Sequence, residues 1–224
     1  MAHSLPAWRS VLAVVAHPDD ESFGLGAVLS AFADAGAAVS VLCLTHGEAS
    51  TLHGVEGDLA AVRAEELTAA AKVLGLRDVT LLAHPDGGLA GVEPAALDAA
   101  VLRAAADVAA EGLIGFDLTG VTGHPDHAAA TAAALRAAER LDVPVIGWTL
   151  PLSVAERLRR EHGAPFDGHA DTDIDLVVTV DRTTQLDAVG CHPSQAVPGS
   201  VLWRRLELLG DREHLRWLHR PAAS

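Results

Sequence analysis

Tyrosine is absent from the 224 residues, lysine and methionine occur once each, and aromatic residues make up only 4%. Basic side chains number 16 against 30 acidic ones, and the basic residues, all arginines but Lys72, are scattered rather than clustered, so the formal charge is -14 at pH 7. Such a balance repels phosphate backbones and anionic lipid, which argues against nucleic acid or a membrane surface as a partner. No apolar run approaches the ~20 residues of a membrane span. The segment MAHSLPAWRS lacks a basic stretch followed by an apolar one, so no secretory signal is expected. Of the two cysteines, Cys43 sits in an apolar run and Cys191 lies far from it. That spacing fits neither a disulfide framework nor a zinc ribbon, and two incidental thiols in a reducing cytoplasm are the expectation.

Apolar residues, by contrast, make up half of the chain, enough for one sizeable core, so a single domain over 1–224 is expected. Short unbroken runs rich in Val, Leu and Ile recur at 11–16, 38–45, 79–83, 113–118, 143–150 and 174–180. Runs without polar alternation suit strands buried on both faces, as in a parallel sheet covered by helices. Between them, 58–75 carries an apolar stripe at three- and four-residue spacing and ends at Gly75, and the alanine-rich segments 94–111 and 126–140 read as helices too. The segment 151–173 starts as a helix and continues as loop. The alternation predicts an α/β, Rossmann-like, doubly wound and mainly parallel sheet with helices on both faces.

In such sheets the ligand crevice lies beyond the carboxyl ends of the strands. The first four predicted strands lead into HPDDE (17–21), HGE (46–48), HPDGG (84–88) and GHPDH (123–127). The triplet HPD occurs at 17–19, 84–86 and 124–126, where a shuffled chain of this composition gives roughly 0.05 occurrences. Imidazole and carboxylate together suit zinc, iron or nickel rather than calcium or magnesium. His17 and Asp20 stand three apart across a proline and converge on one point; His124 and His127 offer a third ligand. Three protein ligands with an open position define a catalytic site, and Asp19, free of the metal, is placed to take a proton from water. The copy at 84–86 has a single histidine followed by GG and reads as a turn or substrate contact. His46 reads as a substrate contact or exposed loop residue, and His3, His53, His162, His169, His214 and His219 as surface positions.

The pair AHPDDE and GHPDH, with LTHGE (44–48), RAEEL (63–67), PDGGL (85–89) and CHPSQ (191–195), resembles the LmbE-like or PIG-L family of zinc-dependent de-N-acetylases. The similarity covers most of the chain. It implies the LmbE-like fold, zinc bound by His17, Asp20 and His127, and Asp19 as general base. It further implies that His124 stabilises an oxyanion or protonates the leaving amine, with Asp126 orienting its ring. Arg63, Asp86 and Glu48 match positions lining a sugar pocket. The implied substrate is a small N-acetylated amino sugar or glycoconjugate, the alternative a thiol conjugate or antibiotic-type amide; association into homo-oligomers is common among related proteins. Two positions depart from the pattern: Thr122 replaces a tyrosine that helps hold the oxyanion, and Gln185, near Arg182, replaces a lysine. Glu21 is left for a supporting role, orienting a ligand or the loop that follows. Rival readings are an iron(II) oxygenase, whose usual H-x-D spacing differs from this H-x-x-D, and a nucleotide-binding module, for which GLGAVLSA (24–31) lacks the third glycine.

Overall fold

A computed structural model describes residues 2–52 and 57–221. In chain order the elements are β1 (Ser10–Val15), α1 (Asp20–Phe23), α2 (Gly26–Asp34), β2 (Ala38–Thr45), α3 (Leu59–Val73) and β3 (Asp78–His84). Next come α4 (Pro94–Asp107), β4 (Gly112–Phe116), the single turn α5 (Gly120–Gly123), α6 (Pro125–Leu141) and β5 (Val145–Thr149). The chain continues with α7 (Leu152–His162), β6 (Leu176–Thr179), α8 (Thr183–Val189), α9 (Val201–Leu209) and β7 (Arg212–His219).

The strands form one sheet in the order β3-β2-β1-β4-β5-β7-β6. β3, β2, β1, β4 and β5 are mutually parallel, whereas β7 runs antiparallel to both β5 and β6. The chain builds outward from β1 to β3, then crosses back to place β4 on the other side of β1. The β1/β4 junction is thus the topological switch point at which α/β sheets open a crevice.

Helices cover both faces. On one, Phe32 of α2, Leu67 of α3, Leu158 of α7 and Leu209 of α9 join Trp148 and the inward side chains of β1, β2 and β5 in a single core. On the other, α4 and α6 pack against Leu12, Val14, Leu42 and Leu113. Ala130, Ala133, Ala134, Ala137 and Ala138 of α6 recur at three- and four-residue spacing and are all buried. Alanine combines the highest helix propensity with the smallest side chain, so α6 forms readily and lies close to the sheet.

Two features depart from the sequence expectation. β3 is the edge strand and is partly exposed along its length, because only β2 pairs with it. β7, with the sequence REHLRWLH, is not among the strands that apolar runs predict. Its charged residues hide it from a search for such runs, yet Glu213 and Leu215 are fully buried there. The expected run at 174–180 does form a strand, β6, but as the far edge beyond β7.

Candidate active site

Beyond Val15 the chain leaves β1 and turns sharply. The Asp20 carboxylate reaches back, its Oδ2 accepting the N–H groups of Ala16 (3.1 Å) and His17 (3.0 Å). This fixes the His17–Asp20 loop and directs both side chains to one point. Between them Asp19 takes a left-handed backbone, φ 114° and ψ -27°, a region that L residues adopt only at a cost of order 1–3 kcal/mol. The conformation is held from below: the Asp19 N–H donates to Glu21 Oε2 (2.9 Å), and Glu21 Oε1 accepts the Ser22 hydroxyl (2.6 Å) and faces His192 Nε2 at 2.7 Å. Glu21 and His192 are both fully buried. Ser194, two residues on, donates its N–H and hydroxyl to Glu66 of α3 (2.9 and 2.6 Å), tying the 190–200 segment down. Glu21 therefore supports the loop before it, where the sequence pointed to a ligand or the loop after it. His192, within CHPSQ, has no role legible from the sequence, because its partner lies 171 residues away and no local pattern marks the pair.

The second half of the cluster comes from β4. His124 is the N-cap of α6, its Nδ1 accepting the Asp126 N–H (3.2 Å), and Pro125 occupies the first helical turn. His127, one turn further, has Nδ1 3.1 Å from the Gly120 carbonyl. With Nδ1–H donated there, the lone pair of His127 Nε2 points at the β1 loop. His17 mirrors this arrangement: its Nε2 faces Asp86 Oδ1 (3.0 Å) and Asp126 Oδ2 (3.4 Å), leaving Nδ1 for the centre.

The three inward atoms are His17 Nδ1, His127 Nε2 and the Asp20 carboxylate, with separations of 3.3 Å between the nitrogens, 3.2 Å from His127 to Asp20 Oδ1 and 3.7 Å from His17 to Asp20 Oδ2. A tetrahedral ion with roughly 2.0–2.1 Å bonds sets its ligand atoms about 3.4 Å apart. The donor set, the spacing and the second hydrogen bond on each imidazole all fit a zinc-type cation held by these residues. The local field agrees. Burial works against charge on His17, but hydrogen bonds to Asp20 and Asp86 outweigh it and raise its pKa to about 10. Asp20, despite burial, is pulled well below the carboxylate range by His127 and His17. Positive charge is favoured at this point.

Asp19 lies beside this set, its Oδ2 3.1 Å from Arg63 Nη2. Burial raises its pKa to about 6, with Asp20 and Glu21 adding to the rise and Arg63 opposing it. His124 stacks on His127 with ring centroids 4.8 Å apart; burial and the charges of His127 and His17 hold its pKa below the usual imidazole value.

Arg63 is buried and also donates to the carbonyls of Gly47 (2.6 Å) and Pro18. Gly47 is required here: its φ is +65°, and a Cβ would stand 2.0 Å from Arg63 Nη1. Arg63 and Asp86 line a cavity of about 570 Å³, together with His17, Asp19, Asp20, Thr122, His124 and His127. Glu48 does not line it; its Oε1 accepts the Asp86 N–H (3.0 Å) and so positions Asp86. The Asp126 carboxylate accepts the N–H groups of Gly87 (2.7 Å) and Leu89 (3.0 Å), so the contact with the His124 ring comes from the Asp126 backbone.

All three HPD triplets therefore meet, and the copy at 84–86 supplies Asp86 to His17. Gln185, at the position of the family's lysine, is fully buried and donates to the Ser22 carbonyl (3.0 Å). His46 sits outside the cavity lining, half-buried, while His53 lies outside the described residues. His3 and His162 are exposed as expected. His169 and His214 differ: His169 Nε2 is 3.2 Å from Asp117 Oδ1, and His214 is half-buried in β7.

The model of the family described as PIG-L, GlcNAc-PI de-N-acetylase, matches residues 12–138, more than half of the chain. A 1D-myo-inositol 2-acetamido-2-deoxy-alpha-D-glucopyranoside deacetylase of Kineococcus radiotolerans is 30% identical over 84% of this chain and 66% of its own length. A probable N-acetyl-alpha-D-glucosaminyl L-malate deacetylase 2 of Bacillus anthracis is 26% identical over 95% of this chain and 92% of its own. Among solved structures, a deacetylase triple mutant from teicoplanin biosynthesis superposes with a TM-score of 0.70 at 23% identity, covering 93% of this chain and 96% of that one, which shows a shared fold. On the match of residues 12–138, more than half of its length, the chain belongs to the PIG-L family.

Proposed function

We propose that the protein is a zinc-dependent N-deacetylase acting on N-acetylglucosamine-type amino sugars. The observation that carries this reading is the convergence of His17 Nδ1, Asp20 and His127 Nε2 beside a metal-free carboxylate, Asp19, in a cavity at the sheet's switch point. The names of these relatives, both deacetylases of glucosaminyl conjugates, support the substrate class.

Held by His17, Asp20 and His127, zinc supplies Lewis-acid polarisation of the amide carbonyl and a water acidified to near neutrality. Asp19, fixed by Arg63 and by its strained backbone, takes the proton of the attacking water and returns it to the departing nitrogen. His124 acts as a neutral donor. Its Nδ1 accepts the Asp126 N–H, so the ring proton sits on Nε2, directed at the oxygen that gains charge in the tetrahedral intermediate. An imidazolium would set two N–H groups against each other at Nδ1, which favours oxyanion stabilisation over acid catalysis for this residue. With threonine at position 122, that duty rests on His124 and the metal. Asp86, oriented by Glu48 and the Ala49 N–H, and Arg63 face the sugar.

The test is release of acetate and primary amine from N-acetylglucosaminyl-inositol and N-acetylglucosaminyl-malate, with bound metal measured in parallel. Asp19→Ala is expected to lose about 100- to 10,000-fold in kcat while retaining one zinc per chain. His127→Ala is expected to lose zinc. No amine release from either substrate by the zinc-loaded protein overturns the reading, and loss of zinc in Asp19→Ala overturns the division of labour within it.

A further inference from the structure

The cavity is chemically two-sided. Ser50 and Asp86, from the loops after β2 and β3, line it with Arg63 of α3 and with Gln195, which accepts the Ser50 hydroxyl; Phe116, Trp148, Phe166, Leu202 and Arg205 line it elsewhere. A chain of contacts runs from the first set to the second through the candidate metal ligands. Asp86 is 3.0 Å from His17, His17 is 3.3 Å from His127, and the His127 ring is 4.7 Å from that of Phe116. Beyond Phe116 come Trp148, ring to ring at 5.6 Å, and then the Arg205 guanidinium, 5.1 Å from the Trp148 ring centre. An amide whose sugar occupies the polar wall therefore points its acyl group at the apolar one.

Arg205 is an unusual end for an apolar lobe. It is 9% exposed, it donates from Nη2 to the Phe23 carbonyl, and its Nε is buried with no partner among the described residues. The nearby carboxylate of Glu213 is already engaged, accepting from Arg182 Nη1 and from Trp148 Nε1 (2.6 Å). One carboxylate thus stands between two guanidinium groups. Burying a guanidinium with its donors so poorly matched is costly, and the acceptor that fits its planar fork is a second carboxylate.

We infer that the apolar lobe is an acyl-chain subsite and that the N-acyl group it selects ends in a carboxylate bound by Arg205, as in an N-succinyl or N-glutaryl amino sugar. This rests on the hydrolytic reading above and extends it from acetyl to a dicarboxylic acyl group. The chemistry is unchanged: the C–N bond breaks, the oxygen of water joins the acyl carbon to give a dicarboxylate, and a proton goes to the released amine. The methylenes lie along Phe116 and Trp148.

The experiment measures kcat/KM of the zinc-loaded protein on N-acetyl-, N-butyryl-, N-succinyl- and N-glutaryl-glucosamine by amine release. The N-succinyl or N-glutaryl substrate is expected to exceed N-butyryl at least tenfold, and Arg205→Met to reduce that ratio at least tenfold. A binding arm needs no variant: glutarate is expected to bind the zinc-loaded wild type at least tenfold more tightly than butyrate, by calorimetry. Equal rates for N-butyryl and N-succinyl substrates, hydrolysis of the N-acetyl substrate alone, or equal affinities for the two acids overturn the inference while leaving deacetylation standing. Failure on all four with turnover of N-acetylglucosaminyl-inositol or N-acetylglucosaminyl-malate also overturns the inference; failure on those two as well overturns the hydrolytic reading itself, and the glutarate measurement then still reports on the lobe.

Discussion

Asp19 concentrates what is unusual about this molecule at the scale of one residue. It is a carboxylate in a left-handed backbone, pressed between Arg63 and two other acids. Comparing Asp19→Gly with Asp19→Ala isolates the strain, since both remove the carboxylate and only glycine tolerates φ 114°. The glycine variant is expected to be more stable by about 1 kcal/mol, or about 2–4 °C in Tm for a chain of this size, by thermal unfolding of the two side by side. The support beneath Asp19 gives a second expectation. His192→Asn cannot reproduce the contact of Nε2 with Glu21, so the Asp19 N–H acceptor loosens; kcat is expected to fall about tenfold or more with KM and zinc content little changed. A fall in zinc content matching the fall in kcat would show that His192 serves the ligands instead. The candidate cluster of His17, Asp20, His124 and His127 was legible, because HPDDE and HPDH place complementary donors three apart around a proline, while the choice of His127 over His124 came from the family resemblance. The Glu21–His192 pair was not, since a contact between residues so far apart leaves no periodic or local trace.

Loops and helix ends do the positioning that strands only prepare. The loop after β1 is shaped by Asp20 reaching back to its own backbone, and α6 delivers His124 from its cap and His127 from its first turn. Gly47 at the end of β2 admits the Arg63 guanidinium from α3. Gly47→Ala is expected to displace that group, costing about 1–3 kcal/mol of stability as an overpacked contact and lowering kcat along with it. Denaturant unfolding beside steady-state kinetics checks both; full activity would mean that Arg63 has no part in holding Asp19. At this scale the parallel strands and the alanine-rich helices were readable from apolar runs and from stripes at helical spacing. β7 was not, because a strand that buries a glutamate between an arginine and a tryptophan indole reads as polar until its partners are known.

Seen whole, the sheet places the candidate ligands at the β1/β4 reversal and leaves β7 inserted antiparallel near the opposite edge. His214 in that strand is held down to about pKa 4, chiefly by burial, with Arg212 and Arg182 adding to the effect against Asp171. The fold therefore prefers the neutral ring, and the unfolded chain takes up the proton first as pH drops below about 6.5. Stability is expected to fall between about pH 6.5 and 4 and to level off for this group below that. At pH 5 the contribution is about 1 kcal/mol, half the full linkage value because the ring keeps contact with water. His214→Gln is expected to narrow the Tm difference between pH 7 and pH 5 by about 2–4 °C; an unchanged difference would place the acid sensitivity elsewhere.

The apolar side of the cavity draws mostly on the C-terminal part of the chain. Every candidate for holding the metal or moving the proton lies between His17 and His127, within the 12–138 stretch shared across the family, whereas Trp148, Phe166, Leu202 and Arg205 all come after it. The two parts meet where β4 pairs with β5 and again where His192 and Ser194 hold Glu21 and Glu66 beneath the candidate site. A different C-terminal half would remodel the far side of the cavity, but only one that keeps a histidine beneath Glu21 would leave the Asp19 loop its footing.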